Sequence, residues 1–297
     1  MILAAIDIGS NAARLLISEV VKHDKEIEFN KLNLIRIPLR LGFDVFEKGY
    51  IGFRKKKMLI NTIDAFSALM KVYEVDHYIA CATSAMRDAS NSKEIIREIK
   101  ADTGIKVEVI SGDLEAEIIY ENHIAENLSS DHSYLYIDVG GGSTELTFFS
   151  KGKPVFKKSF NIGTIRLLKE KVDVSQWEEV KEFLKQNLKG HAQPVAIGSG
   201  GNINKVFSLS KKKEGKPLPF ELLKDYLKEL GSVSLKQRME LYQLKEDRAD
   251  VIVPALQIYV NVMRWADADE IYVPKIGLAD GLIHMLYDEV KAKKQVY

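Results

Sequence analysis

Two glycine-rich turns hold the residues of this chain best suited to chemistry. The first, Asp7-Ile8-Gly9-Ser10-Asn11, follows the apolar run Ile2-Leu3-Ala4-Ala5-Ile6. The second, Asp138-Val139-Gly140-Gly141-Gly142-Ser143-Thr144-Glu145, follows Tyr134-Leu135-Tyr136-Ile137. Each reads as a buried strand ending in Asp, then a turn, then a second strand. Glycine lets backbone N–H groups approach a ligand closely, and consecutive amides in such a turn form a concave anion site. Gly9, Ser10, Asn11, Gly140, Gly141, Gly142, Ser143 and Thr144 are therefore expected to offer amides and hydroxyls to phosphate oxygens. One turn in each half suggests a clamp around a phosphate chain. Carboxylates cannot bind bare phosphate, so Asp7, Asp138 and Glu145 imply a hard cation such as Mg²⁺ between the two.

Other chemistries lack their residues. The six histidines form no H-E-x-x-H or other close metal pair, which disfavours a zinc hydrolase. There is no G-x-S-x-G nucleophile elbow and no G-x-x-x-x-G-K-[ST] loop. Cys81 is the only cysteine, so no intramolecular disulfide forms, and a reducing cytoplasm fits best. With 43 basic and 42 acidic residues, the charge balance argues against bulk nucleic-acid binding. No apolar run approaches the roughly 20 residues that span a bilayer, and the N-terminus lacks the basic region of a signal peptide. Two basic runs, Lys55-Lys56-Lys57 and Lys211-Lys212-Lys213, could guide a polyanion, although each also reads as a solvated face.

The elements that must position the turns read as strands followed by helices, twice. In the first half, strands are expected from Ile2 to Phe29, at Leu32–Pro38, His77–Ala82 and Val107–Ile110. Helices are expected near Phe53–Tyr73, Ser92–Lys100 and Leu114–Glu126. The polar stretch Asn127–Asp131 marks a boundary, giving domains 1–126 and 127–297. The second half repeats the pattern, with strands at Tyr134–Asp138, Leu146–Phe149, Val155–Phe160, Val195–Ile197 and Glu270–Val273. It becomes mostly helical toward its end, with a long buried helix over Asp247–Trp265. The expected fold class is α/β, with two similar domains and a ligand in the cleft between them.

Several segments together resemble one family, the exopolyphosphatases and guanosine pentaphosphate phosphohydrolases, within the actin-like, sugar-kinase and Hsp70-like ATPase superfamily. They are the two turns with Arg14, Ala82-Thr83-Ser84-Ala85-Met86-Arg87-Asp88-Ala89, and Ser111-Gly112 with Glu115-Ala116. Weaker matches are Gly198-Ser199-Gly200-Gly201, Arg248–Ala255, and Gly277-Leu278 with Asp280-Gly281. Leu114, Asn122, Asn202 and Ala279 depart from the family's usual Glu, Gly, Thr and Arg.

The resemblance implies two actin-like (ribonuclease H-like) domains and hydrolysis of a terminal phosphoanhydride. It gives Glu115 the role of directing water and Arg87 that of a phosphate fork, with Asp138 and Glu145 completing the catalytic set and Arg14 a binding residue. Inorganic polyphosphate is the implied substrate and Mg²⁺ the cofactor. The alternatives are hydrolysis of pppGpp by the same centre, or a non-catalytic sensor of polyphosphate or alarmone. The helix-rich stretch after Phe220 offers a surface for a homodimer.

Overall fold

A computed structural model of the chain describes residues 1–23, 26–120 and 132–295. It divides into two compact units, Met1–Asn122 with Leu278–Tyr297, and His123–Gly277. The expected boundary at 126/127 lies outside the described residues.

The first unit contains β1 (Ile2–Ile8), β2 (Ala13–His23), β3 (Glu26–Ile37), α1 (Gly42–Lys48), α2 (Phe53–Val72), β4 (His77–Ala82), α3 (Ser84–Asp88), α4 (Ser92–Thr103), β5 (Glu108–Val109) and α5 (Gly112–Tyr120). Its sheet runs β3-β2-β1-β4-β5. The first three strands form an antiparallel meander, and β4 and β5 add in parallel. β1 lies in the middle of this sheet, which explains why its sequence is an almost unbroken apolar run rather than an alternating one.

The second unit contains β6 (Ser133–Val139), β7 (Thr144–Ser150), β8 (Lys153–Phe160), α6 (Thr164–Leu168), α7 (Val174–Leu188), β9 (Pro194–Ser199), α8 (Gly201–Ser210), β10 (Leu218–Pro219), α9 (Phe220–Ser232), α10 (Leu235–Leu241), α11 (Glu246–Ala249), α12 (Ile252–Ala266) and β11 (Glu270–Tyr272). Its sheet runs β10-β11-β9-β6-β7-β8. Read from the other edge, β8-β7-β6-β9-β11 repeats the order β3-β2-β1-β4-β5, and β10 is an addition at the edge. The glycine turns are therefore the hairpins β1–β2 and β6–β7, at the same place in two sheets of the same topology.

The final helix, α13 (Leu278–Gln295), corrects the expected division at 127–297. It packs on the first sheet, where Leu278, Leu282, Ile283 and Leu286 share a core with Leu3, Ala5, Leu16, Cys81 and Ile118. Gly281 permits this, because a Cβ there would stand 1.9 Å from the Ile118 carbonyl oxygen of α5. The expected helix over Asp247–Trp265 is two helices, α11 and α12. Pro254 sits in the first turn of α12, where a missing N–H breaks no helical bond. α12 is buried almost all round and forms the centre of the second unit's core.

Candidate active site

The turn after β1 closes when the Gly9 N–H donates to the Ala12 carbonyl at 3.0 Å. The segment leading into α1 then reaches back to it. Gly42 N–H donates to the Ser10 carbonyl at 2.9 Å, and Arg40 N–H to the Asn11 carbonyl at 2.8 Å. In a planar trans peptide the N–H points opposite the C=O. Pinning these two carbonyls therefore turns the amides of Asn11 and Ala12 the other way.

The turn after β6 has the same construction. Gly140 N–H donates to the Ser143 carbonyl at 2.9 Å. Here the start of α6 does the pinning. Thr164 N–H holds the Gly140 carbonyl at 3.0 Å, Ile165 N–H holds that of Gly141 at 2.8 Å, and Arg166 Nε donates to that of Gly142 at 2.6 Å. The amides of Gly141, Gly142 and Ser143 are thereby aimed away from α6, as a concave anion site requires. Gly163 allows this close approach, since a Cβ there would fall 2.5 Å from the Gly142 backbone.

Two expected phosphate hydroxyls have other partners. Ser10 Oγ lies 2.7 Å from Ser84 Oγ and accepts the Ala85 N–H at 3.1 Å, tying the first turn to α3. Thr144 Oγ1 donates to the Ile162 carbonyl at 2.6 Å. Both residues are buried, so their hydroxyls brace the turns, and the amides are left to meet a ligand.

The charges beside the turns differ between the units. Asp7 stands opposite Arg14 in the β1–β2 ladder, and Arg14 Nη1 lies 2.6 Å from Asp7 Oδ2. At the equivalent position of the second unit, Asp138 stands opposite Glu145. Directly opposed residues of an antiparallel pair share a face, and like charges there repel. Ser199 Oγ donates to Asp138 at 2.7 Å and Ser159 Oγ to Glu145 at 2.8 Å. Beneath them, the buried Tyr259 hydroxyl donates to the Ser199 carbonyl at 2.5 Å. Burial pushes the Tyr259 pKa well above its usual value, with the Asp138 charge adding to this, so the hydroxyl keeps its proton.

These groups bear on the expected metal. Asp7 was expected as a third ligand, but its charge is answered by Arg14. Asp138 and Glu145 are hard oxygen donors side by side, which fits a cation that takes one or two carboxylates and fills its remaining positions with phosphate and water. Among the described residues no group of three or more His, Cys, Asp and Glu forms a cage by itself.

Glu115 and Arg87 come together in the first unit. Ser111 Oγ accepts the Leu114 N–H at 3.1 Å and the Ser111 carbonyl accepts the Glu115 N–H at 3.0 Å, which starts α5 with Glu115 in its first turn. Glu115 is only 7% exposed. Arg87, on α3, places Nη1 3.7 Å from Glu115 Oε2 and donates from it to the Ile110 carbonyl at 2.7 Å. Cys81 lies among these acids. Burial pushes its thiol up to about 12, helped by the charges of Glu108, Asp7 and Glu115.

The Ppx/GppA phosphatase family matches residues 19–290. The chain belongs to this family. Its members are phosphoanhydride hydrolases, and phosphatases of this kind depend on a metal ion. The chain is 29% identical over 243 residues to a bifunctional 3-dehydroquinate synthase/phosphatase of Fusobacterium nucleatum, covering 80% of this chain and 35% of that protein. It is 23% identical over 303 residues to exopolyphosphatase 1 of Mycobacterium tuberculosis, covering 95% of this chain and 87% of that one. Among solved structures, an exopolyphosphatase from Cytophaga hutchinsonii superposes with a TM-score of 0.82 at 25% identity, covering 97% of this chain and 98% of the other. The fold is thus the two-domain actin-like fold of the Ppx/GppA phosphatases.

Sequence reasoning missed Ser199, Ser159 and Tyr259 as supports of the second turn. Serines in strands and a tyrosine in a helix carry no signal of their own. The hint available was Gly163-Thr164-Ile165-Arg166, whose glycine marks a close approach. No helix among the described residues is long and apolar enough to cross a membrane.

Proposed function

We propose that this chain is an exopolyphosphatase-like hydrolase that releases orthophosphate from the end of inorganic polyphosphate. The reading rests above all on one observation. The same carbonyl-pinned turn stands in both units, beside an ion pair in the first and two carboxylates in the second. Such turns suit a ligand that is phosphate along its length.

In this reading the turn amides hold phosphoryl oxygens of the substrate. Mg²⁺, when bound, neutralises charge on those oxygens, and Asp138 and Glu145 would hold it. Glu115 orients a water molecule and takes its proton as the water oxygen bonds to the terminal phosphorus. The bridging P–O bond breaks, its electrons stay on the shortened chain, and orthophosphate leaves. Arg87 answers charge that develops on the transferred group, its planar fork matching two phosphoryl oxygens. Its Nη1 lies 3.7 Å from Glu115 Oε2, so the two side chains face the same phosphoryl group in this reading.

Orthophosphate release is to be measured with Mg²⁺ from short and long polyphosphates of defined length and from pppGpp. Faster release per chain end from polyphosphate supports the reading. Faster release from pppGpp moves the activity to the nucleotide, and release from none of them contradicts hydrolysis.

A further inference from the structure

The basic run Lys211-Lys212-Lys213 lies outside both glycine turns and follows α8. Lys211 ends that helix with a φ of 54°. The Lys216 N–H then donates to the Lys213 carbonyl at 3.1 Å, so the segment folds back on itself. Glu214 is the one acid between Lys211 and Lys216. It turns away to Lys275, whose ammonium lies 3.2 Å from Glu214 Oε2. Among the described residues, Lys212, Lys213 and Lys216 form no ion pair.

These three lysines line a cavity of about 360 Å³, together with Pro217, Pro219, Asp269 and Glu270. Small-molecule sites span roughly 300–1,000 Å³ and combine apolar walls with a few convergent polar groups. The walls here are held in place. β10 pairs with β11, which sets Pro219 opposite Glu270, and the Phe220 N–H donates to the Asp269 carbonyl at 2.7 Å. Gln193 Nε2 donates to the Asp269 carboxylate at 2.9 Å. Glu270 forms no ion pair among the described residues, although three ammoniums line the same space. Both signs of charge thus border one cavity without closing on each other.

We infer that this cavity binds a small phosphorylated polyol, of the sugar phosphate type. A phosphate monoester carries close to two negative charges at neutral pH, which the three ammoniums answer as point charges. Asp269 and Glu270 are acceptors only, so they call for hydroxyl donors on the same molecule. Inorganic polyphosphate offers no such donors, and its charges would meet the two carboxylates. The cavity also stands apart from the second turn. Asp269 precedes β11, level with Pro194 at the start of β9, whereas Ser199, which holds Asp138, ends β9. The rise of a strand puts these two ends roughly 16 Å apart. No residue of the cavity serves the hydrolase reading above.

Calorimetric titration tests this with glucose 6-phosphate, glycerol 3-phosphate and tripolyphosphate. The wild type is to be compared with the double variant Lys213→Gln/Lys216→Gln and with Glu270→Gln. Lys213 and Lys216 are exposed, so the double variant keeps the fold. At least one of the two polyol phosphates is expected to bind the wild type. Its affinity should fall at least about tenfold in the double variant, as for the loss of charge-assisted contacts. It should fall several-fold in Glu270→Gln, where a charged acceptor becomes a neutral one. Tripolyphosphate binding is expected to stay unchanged in both variants. No binding of either polyol phosphate overturns the site, as does binding that the double variant keeps in full. Tripolyphosphate that weakens with the lysines as much as the polyol phosphate does overturns the polyol assignment. Each result is read from binding alone, whatever the hydrolytic activity.

Discussion

Asp138 stands directly opposite Glu145 in the second hairpin, where the first hairpin sets Asp7 opposite Arg14. One substitution between two copies of the same turn thus changes a neutral pair into a doubly negative one. Glu145→Arg should restore the pairing of the first hairpin, and with it a stable fold that no longer recruits a cation. Activity is expected to fall on the order of a hundredfold or more. Mg²⁺ and phosphate together are expected to raise the melting temperature of the wild type, and to leave that of Glu145→Arg unchanged. A variant that keeps its metal-dependent activity would remove Glu145 from the metal site.

Gly281 and Gly104 separate two uses of glycine. At Gly281 a Cβ would meet the Ile118 carbonyl at 1.9 Å, so Gly281→Ala must push α13 off α5. A loss of at least about 3 kcal/mol is expected in denaturant unfolding. Activity should fall with it, because α5 carries Glu115. Gly104 caps α4 at a φ of 74° with nothing within 4 Å of an added Cβ. Gly104→Ala should cost only about 1 kcal/mol, from left-handed strain alone.

Tyr259→Phe keeps the packing of α12 and leaves the Ser199 carbonyl without that donor. Stability should drop by roughly 1–2 kcal/mol. Since Ser199 holds Asp138, half-maximal activity should also need several-fold more Mg²⁺. A loss of stability with no change in the metal requirement would mark Tyr259 as packing alone.

Much of this was legible in advance, for a physical reason. A phosphate turn needs glycines and a strand ending in a polar residue, and both leave a mark within a few neighbouring positions. Two such marks located the repeated hairpins, and the order of the strands and helices around them gave the α/β class. Contacts over long separations leave no such mark. The return of α13 to the first sheet depends on Gly281 meeting Ile118, which no local pattern announces. The hydroxyls of Ser10 and Thr144 read as phosphate ligands because their type and place suited the role. Their burial and their bonds to Ser84 and Ile162 emerged only with the fold.

Cys81 gives a check on the electrostatics of the first unit. Burial and the nearby carboxylates raise its thiol to about 12, so the folded protein holds it protonated at pH 8. A thiol reagent should label it slowly in the native state and completely after denaturation. The folded pKa lies above the unfolded one. The thiol's contribution to stability is therefore full below the ordinary cysteine value and is lost as pH climbs toward about 12. Fast native labelling at pH 8 would contradict the buried placement beside Asp7 and Glu115.

Glu115 carries the central claim. Orthophosphate release from polyphosphate, with Mg²⁺ present, is to be compared between wild type and Glu115→Gln, which keeps shape and hydrogen bonding and removes the base. A general base contributes about a hundred- to ten-thousandfold, so kcat should fall by that range while the variant still binds the chain. Release that continues at the wild-type rate in Glu115→Gln would contradict the account.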